Sequence, residues 1–258
     1  VDGHQFVDDT GALVRVQEAT AFTLYQEYLK GTSVEPFLAW ARALGINTLR
    51  VFGMWSVMGF DPQRLGETYY RELPTFLETC ATGGLRVEFV VVTDAPQLFP
   101  NTRALKIHYA RVVEILTWHA DTTLCEQVNE PFKNLPGGWT TDDLGAHPDR
   151  PLLWAPGSQQ EALLAEGSYA TVHTERSEAE DGWKWVRAAK ALYDYQYDPG
   201  PGQLPFAGPI LLNEPMGAAE EVRAGARATD PAKFFDYAAV ASLFGGSAFH
   251  GEPGLWGQ

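Results

Sequence analysis

The sequence predicts an α/β protein folded as a (β/α)8 (TIM) barrel, and three observations predict it. Strand-like and helix-like segments alternate along the chain. Residues 87–93 form a run rich in Val, the pattern of a strand buried on both faces of a parallel sheet. The length, 258 residues, matches one such barrel without remainder, so residues 1–258 are read as a single domain.

Taken in order, residues 13–16 are the first strand candidate, after the Asp8-Asp9-Thr10-Gly11 turn. A helix is expected over 35–44, where Phe37, Leu38, Ala41 and Leu44 share a face and Gly45 is the stop. The second strand is 47–52 and the second helix 70–81, ended by Gly83-Gly84. After strand three, 87–93, come a helix over 104–118 and strand four, 124–128. Residues 132–150 are rich in Pro, Gly and Asp and read as a long loop. Strands five to eight are placed at 152–155, 169–173, 209–212 and 247–250, with helices over 159–165, 183–195 and 230–244 between them. Asp230 is an N-cap and Pro231 a first helical residue. The closing eighth helix is expected to be short or absent. An open doubly wound sheet is the rival architecture, but no Gly-rich phosphate loop follows a first strand.

Charge and composition narrow the function. The net charge of −14 offers no basic stripe to nucleic acid or to an anionic membrane, so neither is expected as a partner. A neutral sugar is indifferent to that field, and the oligomeric state stays open. The two cysteines, Cys80 and Cys125, read as buried thiols, with a single bridge as the alternative. The six histidines show no metal-ligand spacing, and no metal or other cofactor is expected. The chain opens on Val1 without an initiator Met, which fits a leader that was removed or never included, so localisation stays open, with secretion slightly favoured.

The chemistry is carried by a repeated tripeptide, Asn129-Glu130-Pro131 and Asn213-Glu214-Pro215. A given tripeptide is expected about 0.03 times in this length, so two copies directly after apolar strands are not read as chance. Both glutamates fall where a strand gives way to its loop, the catalytic side of a barrel. They are 84 residues apart, three βα units of about 28 residues, which sets them on strands four and seven across the barrel mouth. Two opposed carboxylates suit glycosidic-bond cleavage, one protonated as acid and the other ionised as nucleophile. A retaining reaction would set them about 5 to 5.5 Å apart.

These residues resemble the clan of retaining (β/α)8 glycoside hydrolases that includes cellulases and mannanases, the family 5-like enzymes. Residues 45–52, Gly-Ile-Asn-Thr-Leu-Arg-Val-Phe, resemble the clan's G-x-N-x-x-R second strand, and residues 6–22 its opening segment. The likeness runs from about Phe6 to Trp256. It implies that Glu130 is the acid/base, Glu214 the nucleophile and Asn129 the residue that hydrogen-bonds the sugar 2-hydroxyl. It further implies that Arg50 keeps the nucleophile ionised, His173 sits near the nucleophile or the sugar, and Trp256 forms an aromatic platform. Pro215 departs from the pattern, since the clan's nucleophile is usually followed by a small residue, and Glu220 and Glu221 are rival positions.

From the residues themselves, Asp94 at the end of strand three is a substrate-contact candidate, and Trp55 and Trp139 are loop aromatics suited to stacking on sugar. His250 and Glu252, at the last strand end, either line the site or close the barrel. Each candidate has a plainer alternative: Glu130 and Glu214 as helix caps or surface ion pairs, Arg50 as a structural ion pair, His173 as a core residue. The reaction these features imply is hydrolysis or transglycosylation of a β-linked oligo- or polysaccharide with retention of configuration. The alternative function is a carbohydrate-binding barrel without activity.

Overall fold

A computed structural model of the chain describes residues 1–3, 5–157, 167–173, 207–214 and 246–250. The chain divides into two compact units, Val1–Thr20 with Gln159–Gln258, and Ala21–Ser158.

In the first unit, Phe6–Val7 pairs antiparallel with Leu13–Val14 as a small hairpin. The strand expected at 13–16 is therefore part of this hairpin, and Leu13 is half exposed. The parallel sheet instead begins at β1, Gln17–Thr20, a segment whose mostly polar letters hide it from a hydropathy reading. Three further strands follow, β6 (Ala170–His173), β7 (Ile210–Glu214) and β8 (Gly246–His250). β8 pairs in parallel with both β1 and β7, and β7 with β6. The helices expected at 159–165, 183–195 and 230–244, and the segment after strand eight, lie outside the described residues.

The second unit is a four-stranded parallel sheet, β2 (Thr48–Phe52), β3 (Arg86–Val92), β4 (Thr123–Val128) and β5 (Leu153–Gly157), paired in that order. Six helices accompany β2 to β4: α1 (Leu24–Leu29), α2 (Glu35–Ala43), α3 (Pro62–Leu65), α4 (Glu67–Thr82), α5 (Ala95–Leu98) and α6 (Thr102–Trp118). α2 begins with Pro36 in its first turn, buries Leu38 and Ala41, and stops before Gly45 at φ 78°. α4 buries Tyr69, Tyr70, Leu73, Phe76, Leu77 and Cys80, the spacing of one helical face. α6 starts where the Asn101 side chain accepts from Ala104 N at 2.9 Å, and buries Leu105, His108, Tyr109, Val112 and Leu116. The loop expected over 132–150 holds a short helix, α7 (Pro131–Asn134), and a single 3-10 turn, Thr141–Leu144.

The strand registers sort the residues of this sheet onto two faces. Arg50 lies opposite Glu88, and Glu126 opposite Val90, so all three charged side chains share one face. Leu49, Val51, Phe89 and Cys125 occupy the other, where α1, α4 and α6 pack. Cys80 and Cys125 are both buried and free, as read from the sequence.

Candidate active site

The carboxyl ends of β3 and β4 carry the best-defined chemistry of the second unit. β4 is followed by Asn129 and Glu130, and Asn129 N continues the ladder by donating to Val92 O at 3.0 Å. Glu130 then turns the chain with φ 44° and ψ 72°, a left-handed conformation that is costly for a residue with a Cβ, and caps α7. Asp94, at the end of β3, does the same with φ 54° and ψ 33° and caps α5. Both are residues singled out from sequence, and they are the two non-glycine residues with positive φ among those described.

Asn134, which the sequence reading passed over, joins these two turns. Its buried side chain accepts from Asp94 N at 2.8 Å and donates to the Asn129 carbonyl, with the Glu130 carbonyl at 3.5 Å from the same nitrogen. Gly157, at the end of β5, supports the same turn from the other side. A Cβ there would collide with the Val128 carbonyl and lie 2.7 Å from Pro131 Cγ, so only glycine lets the Pro131 ring settle on β5.

Beneath Asn129 sits a buried ionic cluster. Arg50 has no exposed surface and donates from Nε to Glu126 Oε2 at 2.7 Å and from Nη2 to Glu126 Oε1 at 2.9 Å, a two-point pair. Its Nη2 also donates to Asn129 Oδ1 at 2.9 Å, Glu88 Oε2 lies 3.7 Å from its Nε, and its guanidinium lies 4.7 Å from the Phe52 ring centre. Because arginine only donates, Asn129 must present its oxygen to Arg50, which turns the Nδ2 side of that amide to donate elsewhere. The ion-pair alternative for Arg50 is thus present in the structure, with Glu126 as its acid, and it reaches Asn129 directly. Glu88 and Glu126 were absent from the sequence candidates. Glu88 carried a signal, a glutamate inside a Val-rich strand, whereas Glu126 is followed by the polar Gln127 and stands out less.

The Glu130 carboxylate is mostly buried, and its Oε1 accepts from Lys133 Nζ at 2.7 Å. The ammonium favours the ionised carboxylate, but it is more than half exposed, and such pairs contribute at most about 1 kcal/mol. It can be displaced cheaply. Asp94 spends Oδ2 on Ser56, accepting from its N at 2.9 Å and its Oγ at 2.6 Å, and so ties the loop after β2 to the end of β3. That leaves Asp94 with a local fastening role whatever else it touches.

The loop aromatics are partly exposed. Trp55 packs with its ring centre 4.8 Å from Phe22 and 6.2 Å from Phe52. Trp139 has the Lys106 ammonium 5.2 Å from its ring centre. In the first unit, Glu214 is the last residue of β7 and pairs in register with His173 at the end of β6, while His250 ends β8 opposite Thr20. Their side chains lie outside the described set, as do Trp256, Glu220, Glu221 and Glu252. Among the described residues no group of His, Cys, Asp and Glu is arranged to hold a metal, and no helix is long and apolar enough to cross a membrane.

No family model matches the chain, and no curated protein matches its sequence. Solved structures do. The exo-β-1,4-mannosidase Op5Man5 from Opitutaceae bacterium strain TAV5 superposes with a TM-score of 0.64 at 16% identity, over 96% of this chain and 53% of that one. The catalytic domain of Thermobifida fusca endoglucanase Cel5A gives 0.62 at 13% identity, over 96% and 83%. The endo-β-1,4-mannanase from Thermotoga petrophila gives 0.58 at 13% identity, over 95% and 70%. The chain therefore spans about half the length of the mannosidase and more of the other two. Alternating strands and helices, parallel pairing throughout both sheets and these superpositions together give the chain the α/β fold of the (β/α)8-barrel glycoside hydrolases of family 5.

Proposed function

We propose that this chain is a retaining glycoside hydrolase acting on a β-linked glycan, with residues 1–258 as a single catalytic domain. The observation that carries the reading is the end of β4. There Glu130 is held in a left-handed turn directly after Asn129, whose amide oxygen is fixed by the buried Arg50. The fold supports it, as do the mannosidase, endoglucanase and mannanase names of the structures that share it. A variant of the Thermobifida fusca endoglucanase was solved in complex with cellotetraose, and an oligosaccharide of that kind is the proposed class of substrate.

In this reading Glu214 attacks the anomeric carbon as a carboxylate while Glu130 gives its proton to the departing glycosidic oxygen. A glycosyl ester on Glu214 results. Glu130, now ionised, takes a proton from water, which attacks the same carbon and frees Glu214. The two inversions leave the configuration unchanged. Asn129 donates from Nδ2 to a sugar hydroxyl, and the aromatic rings of Trp55, Trp139 and Trp256 are offered to sugar faces. His173 and His250, at the ends of β6 and β8, and Asp94 are further candidates for contact with the glycan. No cofactor or metal is needed for these steps.

Chemical rescue tests the assignment. Glu214→Gly should be inactive alone, and with azide should convert an activated aryl β-glycoside into a glycosyl azide of inverted configuration. Glu130→Gly should still cleave substrates whose leaving group needs no proton, and azide should then give the retained product. The same anomer from both variants would overturn the assignment and turn attention to Glu220 and Glu252. Binding of oligosaccharide by an unmodified chain that cleaves no glycoside would instead favour the non-catalytic carbohydrate-binding reading.

A further inference from the structure

We infer that Asn134 is a positioning residue for the acid/base, clamping the β3 and β4 strand ends so that the Glu130 carboxyl is aimed at the leaving oxygen. The inference rests on the reading of Glu130 given above. Glu130 and Asp94 both adopt a backbone conformation that side-chain-bearing residues avoid, and each sits at the exact point where a strand becomes a loop. Such a conformation persists only where the surroundings over-determine it. One buried side chain supplies bonds to both turns. Asn134 accepts from the Asp94 N–H and donates to the Asn129 C=O, the carbonyl of the peptide bond that enters Glu130. The orientation of its amide is unambiguous, because a backbone N–H can only donate and a carbonyl can only accept.

The lever is short. Asn134 and Lys133 both donate from their backbone N–H groups to the Glu130 carbonyl, at 3.1 and 2.9 Å, so the peptide planes on either side of Glu130 are tied down. With the planes fixed, the direction of its Cα–Cβ bond is fixed too, and a carboxyl misplaced by about 1 Å can cost on the order of a hundredfold in rate. Asp94 in turn holds Ser56, so the clamp extends to the loop after β2. Asn134 touches no reacting atom in this scheme. It acts through Glu130.

The test compares kcat/KM on two aryl β-glycosides, one with a phenyl and one with a dinitrophenyl leaving group, for the full chain and its variants. Phenol needs a proton from Glu130 to depart, and dinitrophenol does not. Asn134→Ala removes both side-chain bonds. Asn134→Asp keeps an acceptor for the Asp94 N–H and exchanges the donor to the Asn129 carbonyl for a carboxylate oxygen, so the two variants disturb the turn differently, and urea unfolding of each shows that it is folded. Glu130→Gln is measured beside them. The expected result is a loss of about ten- to a hundredfold on the phenyl glycoside for both Asn134 variants, with the dinitrophenyl glycoside within about threefold of the unmodified chain. Equal losses on both substrates in a folded variant would mean general damage and overturn the clamp. Unchanged rates on both would overturn it as well. Should Glu130→Gln keep full activity on the phenyl glycoside, the reading of Glu130 falls and the clamp with it, an outcome visible apart from the behaviour of Asn134.

Discussion

On one face of the β2–β5 sheet lie Arg50, Glu88 and Glu126; on the other, under α1, α4 and α6, lie Tyr25, Tyr69, Phe89, Cys125 and His108. All eight side chains are fully shielded from water. The first group pairs base with acid at 2.7 to 3.7 Å. The second group is held neutral: burial pushes the Tyr25, Tyr69 and Cys125 groups well above their ordinary range and drives His108 down to about 3. A neutral buried group tolerates few hydrogen bonds: Tyr25 donates to the Tyr69 carbonyl and His108 Nδ1 lies 3.0 Å from the Tyr70 hydroxyl, while the Tyr69 hydroxyl and His108 Nε2 are buried without a hydrogen bond among the described residues. A buried ion needs a counter-ion, and losing it strands the partner. The face that holds the ion pairs is the one whose arginine reaches Asn129.

The largest effect should come from breaking the charged face. Arg50→Met leaves Glu88 and Glu126 facing each other without their shared guanidinium, and should cost about 3 to 5 kcal/mol in urea unfolding. The double change Arg50→Met with Glu126→Leu removes one of the stranded charges and should recover part of that loss. If Arg50→Met costs under about 1 kcal/mol, the contrast between the two faces does not hold.

The other face should fail by crowding. Gly53 lies just past β2, and a Cβ there would sit 2.6 Å from Phe89 Cε1 and 2.7 Å from the Tyr69 hydroxyl. Gly53→Ala should therefore destabilise by about 1 to 3 kcal/mol, and Phe89→Leu in the same chain should relieve much of it. Additive losses in that cycle would show that the ring is not what fills the space.

How much of this is legible in the sequence depends on whether the signal is local. β3 is readable because Val87, Val90, Val91 and Val92 cluster in one strand, and α6 because Leu105, Tyr109, Val112 and Leu116 repeat at helical spacing. Glu130 is readable from the repeated tripeptide. β1 is not, since Gln-Glu-Ala-Thr has no apolar pattern and the neighbouring Leu13-Val14 pair, which does, forms a hairpin instead. Asp94 is legible as a special position, but its bonds to Ser56 depend on a loop 38 residues away in sequence. Asn134 carries no local mark at all, because its role exists only once two strand ends come together. Glu88 and Glu126 stand between these cases: Glu88 is conspicuous within a Val-rich strand and Glu126, next to Gln127, less so, yet only the register with Arg50 says what they pair with.

The smallest effect sharpens the comparison through pH. His108 is neutral in the folded chain, chiefly because burial penalises its charged form, which sets its folded value near 3. In the unfolded chain it titrates at about 6.5. Below that value the unfolded state binds a proton that the folded state does not, so stability falls as pH falls from about 6.5 towards the folded value. Between pH 7.5 and 5.5 this single group should remove about 1.4 kcal/mol. His108→Gln retains an acceptor for the Tyr70 hydroxyl and cannot titrate. Its stability at pH 7.5 can fall through altered packing against Tyr69 and Phe99, but that loss is common to both pH values. The diagnostic quantity is the difference between urea unfolding at pH 7.5 and at 5.5, which should shrink by about 1.4 kcal/mol in the variant. An unchanged difference would mean that His108 takes up a proton in the folded chain, and that the helical face of the sheet tolerates a charge after all.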